Sequence, residues 1–464
     1  MNELTFNLNL KVKTPLYEQI YQYIKTDIQT GKLRAGERIP STRALAKHLE
    51  VSRNTIELAY EQLLSEGYIE AEPYKGYYVA EIEELYQLKH DQLRPAEEKK
   101  EKKNYLYDLT PNGIDLNSFP YNTWRKLSKE ILQDGSIQLF RSGDPQGEYS
   151  FRCAICNYIH QARGVNCTPE QIIVGAGNDY LLMLLSMIIG NSFTVAFENP
   201  TYKQAYRMTE ELGYQTITVP MDKYGMNVEE LKKTTADIAY VTPSHQYPTG
   251  IVMPVRRRSE LLKWANEKEE RYVIEDDYDS EFRYKGKPIP ALQGFDSGNK
   301  VIYLGTFSKS IAPAIRLSYL ILPEPLLERY KKKTGFVSST VSRLDQMIVQ
   351  KFLEEGYFER HLNKVRALYR TRHDVFIEAL KPLHDICDIS GENAGVHFLL
   401  TFKNGMNEEV LIEKAEDRGI KVYGMSEFTI DRQKTEKATI LLGYANLSEE
   451  QLKKVAELLV KCWK

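Results

Sequence analysis

The sequence predicts a multidomain chain, a small α+β unit followed by a large α/β unit, and three observations predict it. The chain has 464 residues, against about 100–200 for a usual domain, which argues against one compact fold. Residues 81–104 read EIEELYQLKHDQLRPAEEKKEKKN, dense in charge with almost nothing to bury after Leu93. Such a stretch cannot offset its own ordering entropy and reads as a linker. Before it, apolar residues recur at helical spacing and end in a hairpin pattern; after it, short β-branched runs alternate with helical stretches. The expected divisions are a unit at 1–80, a charged linker at 81–104 and a body at 105–464. The body divides into a large part at roughly 105–325 and a smaller C-terminal part at roughly 326–464.

Composition narrows the class. Hydrophobic residues make up 42% and charged residues 27%, which excludes a disordered chain and leaves material for a large core. The net charge is −2, so any nucleic-acid contact has to come from a local patch. Five cysteines are too few for a disulfide framework at this length and fit a reducing cytoplasm. Cys153 and Cys156 form a C-x-x-C without the second pair that would complete a zinc site. They lie in an amphipathic helical stretch, Phe151 to Ala162, and are expected as two small buried side chains; no metal site is expected. The N-terminal residues lack the blocks of a signal peptide. The most apolar run, Tyr180 to Ile189, is far short of the ~20 residues that span a bilayer. A soluble, cytoplasmic protein is the expectation.

In the small unit, Leu16, Ile20, Ile24 and Ile28 recur every fourth residue after Thr14-Pro15, a helix start signal, and Gly31 ends the helix. Ser41 can cap a second helix burying Leu45, Ala46 and Leu49. Ser52 can cap a third, with Ile56, Ala59, Tyr60, Leu63 and Leu64 at helical spacing. Tyr68 to Ala71 and Tyr77 to Val79 alternate around Pro73-Tyr74-Lys75-Gly76 as a hairpin. Two short helices and a two-stranded wing make a winged helix-turn-helix. Polar Arg53, Asn54 and Thr55 stand where the third helix would enter a major groove, and Arg43 and wing Lys75 suit phosphates. The same residues would equally serve as a solvated helix face.

Glu37 to Ala46, Val51 to Thr55, Ala59 to Leu63 and Glu66 to Ile69 together resemble the GntR-type winged-helix readers, in order over nearly the whole unit. The resemblance implies contact with a double-stranded DNA operator through Arg43, Arg53, Asn54, Thr55, Lys75 and Gly76.

The large unit's β-branched runs (Ile172–Val174, Phe193–Phe197, Thr216–Val219, Ile238–Val241, Tyr272–Ile274, Val301–Leu304) alternate with helical stretches such as Asp179–Ile189 and Arg256–Lys268. That pattern predicts a mostly parallel sheet covered on both faces, with ligands beyond the carboxyl ends of its strands. The residues following each run are chemically pointed. Gly175-Ala176-Gly177-Asn178-Asp179 opens a helix whose free N–H groups could hold an anion. Tyr202 sets an aromatic ring at the rim. Thr242 to Gly250, then Glu275 to Asp279, then Thr306-Phe307-Ser308-Lys309 with Arg316, complete the set. A phosphate-bearing aldehyde needs this combination: a helix N-terminus, hydroxyls and a guanidinium for the phosphate, an amine for the aldehyde, and a carboxylate for a pyridine nitrogen. Each motif alone is matched by a structural alternative, a solvated lysine or a hydrated acidic run.

Tyr247-Pro248-Thr249-Gly250, Asp276-Asp277-Tyr278 and Thr306 to Lys309 with Arg316 resemble the fold-type I, class I aminotransferases. The order of all elements, with Gly143 to Gly147 and Arg163-Gly164-Val165, is similar to the MocR subfamily, in which a GntR-type reader is fused to an aminotransferase-like body. The resemblance implies pyridoxal 5'-phosphate (PLP) on Lys309, Asp276 at the ring nitrogen, Tyr278 near the ring hydroxyl and Tyr202 stacked on the ring. Ala176, Gly177, Thr306, Ser308 and Arg316 would hold the phosphate, and Asn178 is also implied as a cofactor-binding residue. It also implies a homodimer, domain-swapped head to tail.

Three departures bear on activity. Tyr247 stands where aminotransferases carry an asparagine bonding the ring hydroxyl, an aromatic position in MocR-like proteins. Leu441 stands about where they carry the arginine for a substrate carboxylate, and without a cation that carboxylate loses about 1.5–3 kcal/mol per charge-assisted bond. Ser142 also replaces a more usual tyrosine. The expectation is a PLP-dependent regulator rather than a turnover enzyme, at most a slow or partial transamination half-reaction, with PLP or a vitamer favoured as effector over a γ-amino acid. The alternatives are a working transaminase with an accessory winged helix and, more weakly, a scaffold without PLP.

Overall fold

The computed structural model describes residues 8, 14–81, 104–133, 137–284, 289–392, 394–431 and 437–464. The chain forms two compact units, Met1–Lys102 and Lys103–Lys464. Nearly all of the expected linker, residues 82–103, lies outside the described residues.

The first unit comprises α1 (Leu16–Gln29), β1 (Arg38–Ile39), α2 (Thr42–His48), α3 (Arg53–Ser65), β2 (Ile69–Glu72) and β3 (Gly76–Val79). Ile20, Ile24 and Ile28 turn the apolar stripe of α1 onto Ile56, Ala59, Tyr60 and Leu63 of α3. Both helix starts are capped as the serines predict: Ser41 Oγ accepts from Ala44 N and Ser52 Oγ from Thr55 N, each at 3.2 Å. Each such cap contributes about 1 kcal/mol. Leu49 and Leu64, expected in the core, are only half-buried; α2 has already ended at His48, so Leu49 leaves its apolar stripe. The wing also has a third strand. β1 pairs antiparallel with β3, giving the order β1-β3-β2; two residues are too few to show a period in sequence.

The second unit opens with β4 (Tyr107–Asp108), α4 (Tyr121–Ile131) and α5 (Tyr149–Arg163). Its sheet region follows as β5 (Ile172–Gly175), α6 (Asn178–Ile189), β6 (Thr194–Asn199), α7 (Lys203–Glu211), β7 (Gln215–Asp222), β8 (Gly225–Met226), α8 (Val228–Lys232), β9 (Ile238–Val241), α9 (Val255–Asn266), β10 (Tyr272–Asp277), β11 (Val301–Thr306) and β12 (Ser318–Ile321). Helices α10 (Glu324–Lys333), α11 (Arg343–Glu354) and α12 (Tyr357–Ala379) lead to β13 (Cys387–Ser390), β14 (His397–Phe402), α13 (Glu408–Glu416), β15 (Ile420–Lys421), β16 (Tyr423–Gly424), β17 (Thr439–Gly443) and α14 (Glu449–Trp463).

The large sheet runs β5-β12-β11-β10-β9-β6-β7-β8. Its pairings are parallel except at β12, antiparallel to both neighbours, and at β8. Alternate residues of β5 show why the strands are apolar throughout: Ile173 packs with α6, whereas Ile172 and Val174 join the core on the opposite face with α5. On the α9 side, Leu261 and Trp264 cover Val241 and Val273. The C-terminal part forms a second sheet, β13-β14-β17-β16, and β4 from the start of the unit pairs in parallel with β15. Cys153 and Cys156 are half-buried rather than buried, because α5 turns them to the edge of its packed face, and Cys156 donates to the Cys167 carbonyl at 3.2 Å.

Candidate cofactor site and nucleic-acid interface

In the small unit, Arg53, Asn54 and Thr55 occupy the first turn of α3; Arg53 and Asn54 are exposed, whereas Thr55 is half-buried with its hydroxyl 2.8 Å from Ser52 Oγ. Arg53 is held by Glu57 one turn on, Nε to Oε1 at 2.8 Å, with most of the arginine side chain still exposed. Arg43 is exposed on α2. Lys75 bonds Glu72 at 2.8 Å at the wing tip. Gly76 has φ +115°, and a Cβ there would lie 3.5 Å from the Arg38 guanidinium. Arg38, exposed on β1, thus joins the wing as a cation that the sequence reading did not single out; only the β1–β3 register puts it there.

In the large unit the carboxyl ends of β5, β6, β9, β10 and β11 converge on one cavity of about 270 Å³. Its lining includes Gly177, Asn178, Tyr202, Asp276, Tyr278, Thr306, Ser308, Lys309 and Arg316. The structure therefore brings together every residue expected at the cofactor except Ala176, which borders Gly177 and donates its N–H to Thr340 Oγ1 at 3.0 Å. A larger cleft of about 780 Å³ opens beside α5 and α12 near Glu281 and Arg366, but it does not reach Lys309.

Lys309 follows β11. Its Nζ donates to Asn112 Oδ1 at 2.8 Å and lies 5.4 Å from the centre of the Tyr278 ring. Burial pushes this amine down to about 8, against the opposing pull of Asp279 and Asp276. Asp276, buried at the end of β10, accepts from the Tyr240 hydroxyl and from Asn178 Nδ2, the latter at 3.2 Å. Burial lifts its carboxyl to about 7; the Tyr240 bond and Lys309 act in the other direction. Asn178 thus supports Asp276, and its own Oδ1 is buried with no partner among the described residues. Tyr202 packs edge-on against Tyr247 at 5.6 Å and donates to Gln204 Oε1 at 2.9 Å.

The residues expected at the phosphate are equally constrained. Gly177 caps α6 at φ +92°, and a Cβ there would come within 2.5 Å of Arg316. Arg316 itself adopts a left-handed φ of +48°, strain that persists only where the surroundings over-determine it. Its guanidinium bonds Asp179 at 2.9 Å. Thr306 Oγ1 accepts from Ser308 N at 3.1 Å and from Ser318 Oγ at 2.9 Å, which locks the turn into Lys309.

Behind Tyr278 stands a group that sequence reasoning missed. His245 Nδ1 lies 2.9 Å from Asp279 Oδ2 and 3.0 Å from the Tyr278 hydroxyl, so that hydroxyl is engaged from behind. Both His245 and Asp279 lie in the strand-end segments already singled out, which was the available signal. Leu441 is buried in β17 between Leu399 and Tyr423, without charge.

Comparison with known proteins agrees with this two-part construction. Residues 16–79 match the family "Bacterial regulatory proteins, gntR family", and residues 109–459 match "Aminotransferase class I and II". The HTH-type transcriptional regulator YdeL of Bacillus subtilis is 37% identical, with all of both chains aligned. The probable rhizopine catabolism regulatory protein MocR of Rhizobium meliloti is 30% identical over 96% of this chain and 93% of its own. The pyridoxine biosynthesis transcriptional regulator PdxR of Corynebacterium glutamicum is 30% identical over 92% and 91%. Among solved structures, kynurenine aminotransferase of Pyrococcus horikoshii, determined with PMP, superposes with a TM-score of 0.68 at 24% identity, covering 78% of this chain and 91% of that one. Such a likeness establishes the fold of the body. The chain belongs to the MocR subfamily of GntR-type regulators, a winged-helix reader joined to a fold-type I aminotransferase-like body.

Proposed function

We propose that this protein is a DNA-binding transcriptional regulator whose body binds PLP and reports its chemical state, or that of an amino compound reacting with it, to the reader. The observation that carries the reading is one cavity combining the Lys309 amine, the buried Asp276 carboxyl, the Gly177 helix start and the Arg316 guanidinium. That donor set fits the group. Lys309 would hold the aldehyde, Asp276 the ring nitrogen, and Tyr202 the ring face. Gly177, Thr306, Ser308 and Arg316 would take the phosphate, with Asn178 bracing Asp276 and Ala176 bordering the cradle. Bound PLP supplies an electrophilic carbon that condenses with amines.

The chain's own residues do the rest. Burial keeps a useful fraction of Lys309 unprotonated near neutral pH, and Asp276, braced by Tyr240 and Asn178, is poised to share a proton with a ring nitrogen. Arg316 exchanges its Asp179 partner for an anion. A ligand acts on the reader only through a difference in its interaction with two states of the protein. Arg43, Arg53, Asn54, Thr55, Lys75 and Gly76 form the proposed duplex contact. We further propose a cytoplasmic, domain-swapped homodimer with the divisions 1–80, 81–104 and 105–464. No helix among the described residues is long and apolar enough to cross a membrane.

The working-transaminase reading is less favoured, because full-length relatives are named as regulators and Leu441 offers no cation to a carboxylate. Duplexes selected from a random pool by the purified protein, then titrated with and without PLP, test the proposal. Failure to select any sequence over random duplex refutes it. Multiple turnovers at enzyme-like rates with a panel of amino acids would favour the enzyme instead.

A further inference from the structure

Asn112 was not among the residues expected at the site, yet it is the hydrogen-bond partner of the Lys309 amine. Its Oδ1 accepts from Lys309 Nζ at 2.8 Å, and its Nδ2 donates to the Tyr247 hydroxyl at 2.9 Å. The side chain otherwise faces solvent at the cavity mouth. Its backbone belongs to the first described segment after the linker. That segment is stitched to the C-terminal part: Leu109 N donates to the Lys421 carbonyl at 3.0 Å, Gly443 N to the Leu109 carbonyl at 2.9 Å, and Asn446 Nδ2 to the Asp108 carbonyl at 2.9 Å. The Tyr423 hydroxyl donates to Asp108 Oδ1 at 2.9 Å. A Cβ on Gly443 would clash with the Thr110 carbonyl, so the segment is packed without slack.

Asp276, Tyr278 and Asp279 also face Lys309, but they stand on or directly after β10 in the middle of the large sheet, where movement breaks many strand contacts. Asn112 stands instead on the stretch that joins the amine to β4 and, through the chain, to the linker.

We propose that Asn112 is a positioning residue through which the chemical state of the Lys309 amine reaches strand β4 and the linker before it; the inference rests on the cofactor reading above. A free lysine ammonium has three N–H donors, and one bonds Asn112. Condensation with an aldehyde forms a carbon–nitrogen double bond, releases one water and leaves the nitrogen at most one hydrogen. Exchange with an incoming primary amine moves that double bond to the newcomer and returns two hydrogens to the Lys309 nitrogen. Asn112 therefore faces a nitrogen with at most one hydrogen in one state and at least two in the other, the differential interaction that a shift in equilibrium demands.

The test uses the full chain, PLP and a duplex selected by the wild-type protein. PLP binding is followed by near-visible absorbance, and operator affinity is measured with and without PLP. Asn112→Ala is expected to retain the absorbance band while its affinity ratio collapses to within about two-fold of one. Asn112→Asp, which keeps an oxygen toward Lys309 but loses the donation to Tyr247, is expected to retain most of the wild-type ratio, a rescue that a merely structural role does not produce. A wild-type ratio in Asn112→Ala overturns the proposal. Loss of the band in both variants also overturns it, because Asn112 would then act in capture alone. A band that survives unchanged in Lys309→Ala, or a wild-type ratio of one, instead refutes the cofactor reading and this inference with it.

Discussion

The depressed amine of Lys309 is open to direct measurement. Burial holds it at about 8, where an ordinary lysine lies near 10.4. At pH 7 about a tenth of Lys309 is then unprotonated, against roughly 0.04% of an ordinary lysine, a difference of about 200-fold. The expected profile follows. Pulses of acetic anhydride on cofactor-stripped protein, read at the Lys309 peptide by mass spectrometry, should give labelling that climbs about ten-fold per pH unit and levels off near pH 8. Asp279 and Asp276 favour the ammonium form. Removing Asp279's charge with Asp279→Asn therefore lowers the amine further and moves the plateau to lower pH. Labelling of Lys309 that keeps rising to pH 10 alongside surface lysines would refute the burial argument.

Three further outcomes are expected. Ser52→Ala removes the cap on Thr55 N and should cost about 1 kcal/mol, lowering the reader's melting temperature by about 4–8 °C in calorimetry; an unchanged transition would deny the cap its role. Arg163→Met strips Asp277 of the guanidinium 2.8 Å away in a buried pair and should cost about 3–5 kcal/mol in urea denaturation. Arg163→Met with Asp277→Leu should cost less than Arg163→Met alone, and an equal or larger loss would show that the unpaired carboxylate is not the cause. Arg53→Ala should relax preference at one base pair by about 1–3 kcal/mol, whereas Lys75→Ala should weaken all duplexes alike and flatten the salt dependence; a uniform loss in both would place Arg53 on phosphate.

Much of this was legible in the residues because it is local. The four-residue recurrence of Ile20, Ile24 and Ile28, the Ser41 and Ser52 caps and the strand-end positions of Asp276 and Lys309 depend on neighbours within a few positions, and each stands where that spacing puts it. Short pieces with no period escaped: β1 of the wing and the antiparallel β12 show no alternation long enough to read. The burial of Cys153 was overestimated for a related reason, since helical spacing names a face without telling where the packed surface ends.

The chain's order of amino acids by itself determined two folding units, a serine-capped helix start bearing polar residues and a ring of strand ends bearing one lysine, one arginine and the carboxylates. Only tertiary structure decided which of these meet. Asn178 braces Asp276 from 98 positions away, and Asn112 reaches Lys309 across 197. Such pairs exist because a parallel sheet aligns the ends of strands far apart in the chain and the C-terminal part pins the entry segment beside them. Nothing in the local pattern of either residue encodes that registry.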